Sequence, residues 1–304
     1  MAQGGAALEI IDKSFSSLTI GSAVLEVLYE ECRWAEGPVW FGDGGYLVWS
    51  DIPNNRLLRY IPDVGVSPFR APSNYINGNT RDREGRLVSC SHGARAVLRT
   101  ELDGTITTLV DSYRGKRLNS PNDVVVKSDG TIWFTDPTYG ILSDYEGYKS
   151  EPEQDGCYVY RFDPADGSLR VVADDFAKPN GLAFSADERI LYVSDTGHTH
   201  DPDVPTYIRQ FRVNGSTLTN PKVFTHIDNG SSDGFRLDTD GNVWTSAGPG
   251  VNVYAPSGDL LGRIKTGHAT SNVAFGGARR NRLFITCGQH LMSIYVTATG
   301  LQRP

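Results

Sequence analysis

Asn180-Gly-Leu-Ala-Phe-Ser-Ala-Asp-Glu-Arg-Ile-Leu-Tyr-Val-Ser-Asp195 is an apolar run, a polar turn and a second apolar run that ends on aspartate. That is the pattern of a β-hairpin. Five more copies begin Glu36-Gly-Pro-Val-Trp, Asn77-Gly-Asn-Thr-Arg, Asn122-Asp-Val-Val-Val, Asp233-Gly-Phe-Arg-Leu and Ser271-Asn-Val-Ala-Phe. Each runs through a turn into a second apolar run, at 45–51, 85–91, 130–136, 241–247 and 281–288. Successive copies lie 41, 45, 58, 53 and 38 residues apart. This is close to the length of a four-stranded propeller blade, with the two long intervals leaving room for insertions. The spacing predicts an all-β fold, a six-bladed β-propeller, with residues 1–304 as one domain.

In a propeller the innermost strand of each blade lines a central channel, so the residue leading each copy is expected to face the axis. Glu36, Asn77, Asn122, Asn180, Asp233 and Ser271 then form one ring. Within it Glu36, Asn122, Asn180 and Asp233 offer two carboxylates and two amide oxygens. A hard divalent cation prefers such an all-oxygen shell, Ca2+ above all, while Zn2+, Mn2+ and Mg2+ accept it to some degree. A metal in the channel would polarise an ester carbonyl and lower the pKa of water, and Asp233 or Asp123 is placed to act as general base. Asp136 and Asp195, which end second strands, read instead as caps of strand-end turns.

Composition narrows the partner. The formal charge is −7 with a pI near 5.4, and Lys and Arg are not clustered as a nucleic-acid surface requires. A small molecule is the expected partner. No apolar run approaches a membrane span and the first residues lack the basic-then-apolar pattern of a secretory signal, so the expected compartment is the cytoplasm. The four cysteines stand apart with no CxxC pair, which predicts neither disulfides nor a thiolate metal site.

Helical spacing is confined to residues 8–28, and everything after Arg33 reads as β. Strand-like residues 18–29 precede the first copy, and the last outer strand, Leu291-Met-Ser-Ile-Tyr-Val, lies near the end. The N-terminal residues are therefore expected to complete the last blade and close the ring. The insertions 138–155 and 197–205 follow inner hairpins and are candidate specificity loops. Tyr139 in the first and His198 in the second are candidate substrate contacts, together with Asn77, Ser120 and Asn122. Gly230-Ser-Ser-Asp-Gly234 matches GxSxG, but a strand rather than a helix follows it, so the match is fortuitous.

Glu36-Gly-Pro-Val-Trp, Ser120-Pro-Asn-Asp, Lys178-Pro-Asn-Gly-Leu-Ala-Phe, Val193-Ser-Asp-Thr and Ser232-Asp-Gly-Phe, taken in order, resemble the motifs of the senescence marker protein, gluconolactonase and luciferin-regenerating enzyme family. The likeness runs from about Arg33 onward and is strongest to the bacterial gluconolactonases. It implies a six-bladed propeller with a divalent metal held by Glu36, Asn180 and Asp233, and with Asn122 as a ligand or substrate contact. It also implies hydrolysis of a lactone, with Asp233 as base or water-orienting residue. Animal members carry an arginine two residues before the asparagine that matches Asn122, and to it the sugar-acid contact is attributed; Ser120 stands there in this chain. A sugar lactonase is the leading expectation. Ester or phosphotriester hydrolysis at the same metal, or a non-catalytic ligand-binding propeller with a structural metal, are the alternatives.

Overall fold

In the computed structural model, which describes residues 7–301, each repeat folds as a four-stranded antiparallel blade. Blade one is formed by Ala35–Phe41, Tyr46–Asp51, Arg56–Ile61 and Gly65–Arg70, and blade two by Ile76–Arg81, Leu87–Ser91, Ala96–Thr100 and Ile106–Val110. Blade three comprises Val124–Val126, Ile132–Asp136, Cys157–Asp163 and Ser168–Phe176; blade four, Pro179–Phe184, Ile190–Asp195, Tyr207–Asn214 and Thr217–His226. Blade five carries Phe235–Leu237, Val243–Ala247, Gly250–Tyr254 and Leu260–Lys265, and blade six Thr270–Gly276, Arg282–Cys287 and His290–Tyr295. The fold is a six-bladed β-propeller.

The period-2 alternation of the strands gives every blade two apolar faces, and each is buried against a neighbouring blade. Six hydrophobic clusters result, one per blade interface. Val39, Leu57, Ile76 and Leu87 join blades one and two, while Trp133, Val159, Leu182 and Leu191 join blades three and four. Trp49, Trp133 and Trp244 are fully buried in three of these interfaces. Truncating a side chain of that size would cost about 3–5 kcal/mol.

Both ends of the chain meet in the sheets. Glu26–Tyr29 pairs with His290–Tyr295, Glu26 opposite Ser293 and Val27 opposite Met292, and supplies the fourth strand of blade six. Leu8–Ile10 goes elsewhere: it adds a fifth strand to blade five, with Leu8 opposite Ile264. The expectation of unbroken β structure after Arg33 is corrected at both insertions. Tyr139–Leu142 forms a helical turn and Gly197–Thr199 a 3₁₀ turn, each too short to leave a periodic trace in the sequence. All four cysteines are free. No helix of the described residues is long and apolar enough to cross a membrane.

Candidate active site

The channel is built from the backbone outward. Second-strand hydroxyls reach across blade boundaries to the carbonyls of the leading residues: Ser50 Oγ donates to Asn77 O at 2.6 Å, Thr135 Oγ1 to Asn180 O at 2.8 Å and Ser194 Oγ to Asp233 O at 2.8 Å. The aspartates that end second strands hold the approach to the ring. Asp136 Oδ2 accepts Asn119 N–H at 2.8 Å, and Asp195 accepts the N–H groups of Ala177 and Lys178, both at 2.9 Å. Asp136 and Asp195 thus have the capping role read from the sequence. Bonds of this kind contribute about 1 kcal/mol each and fix the backbone from which ring side chains project.

Glu36 is buried, and its Oε2 accepts Gly37 N–H at 2.8 Å and Asn272 Nδ2–H at 3.4 Å. Asp233 keeps part of its surface open to the channel mouth although it lies deep among protein atoms. Its carboxyl is within hydrogen-bonding reach of both Glu36 and Asn180. Burial raises the pKa of both well above the ordinary carboxylate range; the charges of Asp233 and Asp123 add to the rise at Glu36, and those of Asp123 and Glu146 to the rise at Asp233, while the contact with Glu36 opposes it there. Asn180 Nδ2 also donates to Thr196 Oγ1 at 3.0 Å. Asn122 is buried on the next blade round, and its side chain makes no hydrogen bond to the described residues. Glu36, Asn180 and Asp233 are therefore brought together at one point, with Asn122 at the same level of the channel.

One layer below, four copies have glycine, at 37, 78, 181 and 234, and two have Asp123 and Asn272. At Gly37, Gly78 and Gly181 a Cβ would stand 2.2–2.3 Å from the carbonyl oxygen of the next blade's leading residue, and Gly78 and Gly234 also make room for those two side chains. A Cβ on Gly234 would stand 1.9 Å from Asn272 Cγ, and one on Gly78 would stand 2.9 Å from Asp123 Oδ1. Asn272 donates to Glu36 and lies near enough to Asp123 to lower its pKa. Asp123 is 1% exposed, takes Val124 N–H on Oδ1 at 2.8 Å, and faces Arg236 Nη1 at 3.7 Å. Burial raises its pKa, and the Arg236 guanidinium opposes the rise. Asp123 thus sits behind the ring.

The sixth copy needs a correction. Ser271 was expected in the ring, but its hydroxyl turns into the blade interface, donating to Ala35 O at 2.6 Å and Thr286 O at 3.0 Å. Asn272 is the residue that reaches the channel from that blade. Ser120 is also fully buried, its hydroxyl donating to Pro137 O at 2.6 Å and accepting Gly140 N–H at 2.9 Å. His198 is exposed and bonds within its own loop, to Val204 O at 3.1 Å, while its neighbour His200 packs on Tyr139 with ring centroids 5.5 Å apart.

Both insertions follow second strands and so lie on the ring side. Tyr139 O–H reaches Thr196 Oγ1 at 2.7 Å, linking the first insertion to the Thr196–Asn180 pair; burial pushes this phenol up to about 12. Two residues absent from the sequence analysis stand beside the ring: Glu146 is close enough for its charge to raise Asp233 further, and buried His92 contacts Asn77. Burial lowers the His92 imidazole to about 4. Neither had a signal in its own segment, because each acts through a contact distant in sequence. Thr196, the last residue of the Val193-Ser-Asp-Thr motif, anchors Asn180.

A cavity of about 410 Å³ opens at the opposite mouth, lined by the far ends of inner strands, including Arg81, Val126, Phe184 and Arg236. Its arginines are matched by carboxylates, Arg81 with Asp43, Arg83 with Glu188 and Arg236 with Asp123. The unmatched carboxyls are at the ring, and the chemistry is assigned there.

Residues 34–289 match the family described as the SMP-30/gluconolactonase/LRE-like region. A gluconolactonase of Zymomonas mobilis is 32% identical over 307 residues, covering 92% of this chain and 83% of its own. A pentonolactonase of Haloferax volcanii is 29% identical, covering 86% and 84%. Among solved structures, a gluconolactonase from Xanthomonas campestris superimposes with a TM-score of 0.89 at 39% identity, over 95% of this chain and 94% of that one. A luciferin-regenerating enzyme, 18% identical with a TM-score of 0.76 over 92% of this chain and 99% of its own, shares the fold.

Proposed function

Given that the chain belongs to the SMP-30/gluconolactonase/LRE-like family, we propose that it is a metal-dependent lactonase that opens a sugar lactone such as glucono-1,5-lactone. The observation that carries this reading is the pairing of Glu36 and Asp233. Two carboxyls held within hydrogen-bonding reach of one another, with no arginine or lysine among the described residues paired to either, keep a proton between them unless a cation takes its place. The donor set fits a divalent cation, most readily Ca2+: carboxylates from Glu36 and Asp233, amide oxygens from Asn122 and Asn180. When bound, the cation polarises the lactone carbonyl and stabilises the charge that develops on its oxygen.

The remaining steps fall to the protein. Asp233, partly open to the channel mouth, orients the attacking water and takes its proton at a carboxylate oxygen. Asp123 lies behind the ring against Arg236 and beside Asn272, which donates to Glu36, so it acts as a positioning residue. Asn77 and Tyr139 border the substrate's side of the ring. Ser120 and His198 are assigned no direct contact, since one hydroxyl is consumed by backbone and the other ring is held in its own loop.

The test is Glu36→Gln, which keeps shape and removes charge. A lactonase of this design loses metal affinity, measured by calorimetry, and at least about 100-fold in kcat/KM. Full activity in Glu36→Gln would remove the metal-dependent reading.

A further inference from the structure

Buried His92 connects three parts of the molecule: the end of blade two, the ring residue Asn77, and the 138–155 insertion. Its Nδ1 lies 3.0 Å from Glu146 O and its Nε2 3.3 Å from Asn77 Nδ2. A carbonyl oxygen only accepts, so Nδ1 carries the ring's hydrogen. The neutral imidazole then has a lone pair at Nε2, which only an N–H can meet. The Asn77 amide is oriented in consequence, with nitrogen toward His92 and oxygen turned away from it. In the flipped amide two acceptors would face each other. Among the described residues no group donates to Asn77 Oδ1, although that atom is buried. The ring is also locked in place, because Gly140 of the insertion packs on it so closely that a Cβ there would lie 2.4 Å from His92 Cβ and Cγ.

We infer that His92 is a positioning residue for substrate selection: it fixes Asn77 with its carbonyl oxygen free in the channel wall, so that blade two accepts a hydrogen bond from a hydroxyl of the lactone. An acceptor that no described protein group meets favours a ligand that brings a donor and penalises one that does not. The enzyme is therefore built for hydroxylated lactones over bare ones. This rests on the lactonase reading, and it gives that reading a substrate class.

The experiment compares glucono-1,5-lactone with δ-valerolactone, which has the ester ring and no hydroxyls, in the metal-supplemented wild type and in His92→Phe, His92→Gln and Asn77→Leu. In His92→Phe the selectivity, the ratio of the two kcat/KM values, falls on the order of tenfold, mainly through KM for the hydroxylated lactone. Asn77→Leu, which deletes the oxygen and leaves His92 and the insertion in place, gives a loss of the same size. His92→Gln, whose amide oxygen can accept from Asn77 Nδ2, restores most of it. Equal losses on both lactones, or an unchanged ratio in Asn77→Leu, would overturn the inference and leave the lactonase standing. A wild type inactive on both lactones would remove the lactonase reading and this inference with it.

Discussion

Taking the divalent cation away should reverse the way stability responds to pH. The Asp233 carboxyl, ordinarily near 3.8, is pushed up to about 8 by burial and by Asp123 and Glu146, before any cation neutralises the site. Between those values the folded, metal-free protein holds a proton that the unfolded chain has released. Its stability is therefore complete below the unfolded value and is lost as pH rises through about 8. From pH 6.5 to 8 the loss is about 1.5–2 kcal/mol, from roughly 1.4 kcal/mol per unit with allowance for partial titration. At about 2 cal/mol/K of unfolding entropy per residue, a chain of 304 residues loses about 3 °C in Tm over that interval. Raised Glu36 adds in the same direction, whereas His92, lowered to about 4 by burial, opposes it slightly because the unfolded imidazole still titrates near 6.5, and does so equally with and without the cation. Asp136, raised to about 7 by burial, contributes equally with and without the cation and cancels in the difference. The assay is thermal unfolding at pH 6.5 and 8, in chelator and in saturating Ca2+, with Asp233→Asn alongside. The fall should be about 1.5–2 kcal/mol larger in chelator than with the cation, and most of that excess should be absent in the variant. A slope that is the same with and without the cation would refute the proton-for-metal exchange.

Two substitutions test the layer beneath the ring. Asp123→Asn strands the buried Arg236 guanidinium and should lower the unfolding free energy by about 3 kcal/mol in urea titration, with activity falling much less than in Asp233→Asn; a thousandfold loss of kcat at unchanged stability would instead make Asp123 the base. Gly234→Ala drives a methyl into Asn272 and should cost about 2–3 kcal/mol, and Asn272→Ala should relieve part of it; equal costs in the two backgrounds would show that the glycine is not there to admit that side chain.

Much of this arrangement was legible in the chain because it repeats. A hairpin has period 2, a blade has a near-constant length, and the polar residue leading each inner strand must face the axis, so Glu36, Asn180 and Asp233 could be grouped across 197 residues without a contact in hand. The sixth copy shows where that logic ends. Ser271 occupies the leading position, but a short side chain with one hydroxyl is better satisfied by the neighbouring carbonyls, and the longer amide of Asn272 takes the channel. The trace of this was present as glycine at 78 and 234, which matters only once Asp123 and Asn272 are known to need the space. His92 and Glu146 left no trace, since their roles come from contacts spanning 15 and 54 residues. The turns at Tyr139–Leu142 and Gly197–Thr199 and the strand Leu8–Ile10 are three or four residues long. Elements of that length are set by what they pack against, and periodicity has no room to appear.

The central claim, that Glu36 and Asp233 hold a catalytic cation, is tested most directly by hydrolysis of glucono-1,5-lactone with metal-stripped protein, to which Ca2+, Zn2+, Mn2+ and Mg2+ are returned in turn, beside Asp233→Ala. The account predicts no turnover above the spontaneous rate in the stripped protein, recovery with a divalent cation, and no recovery in the variant. Full turnover by the stripped protein, or recovery in Asp233→Ala equal to wild type, would contradict it.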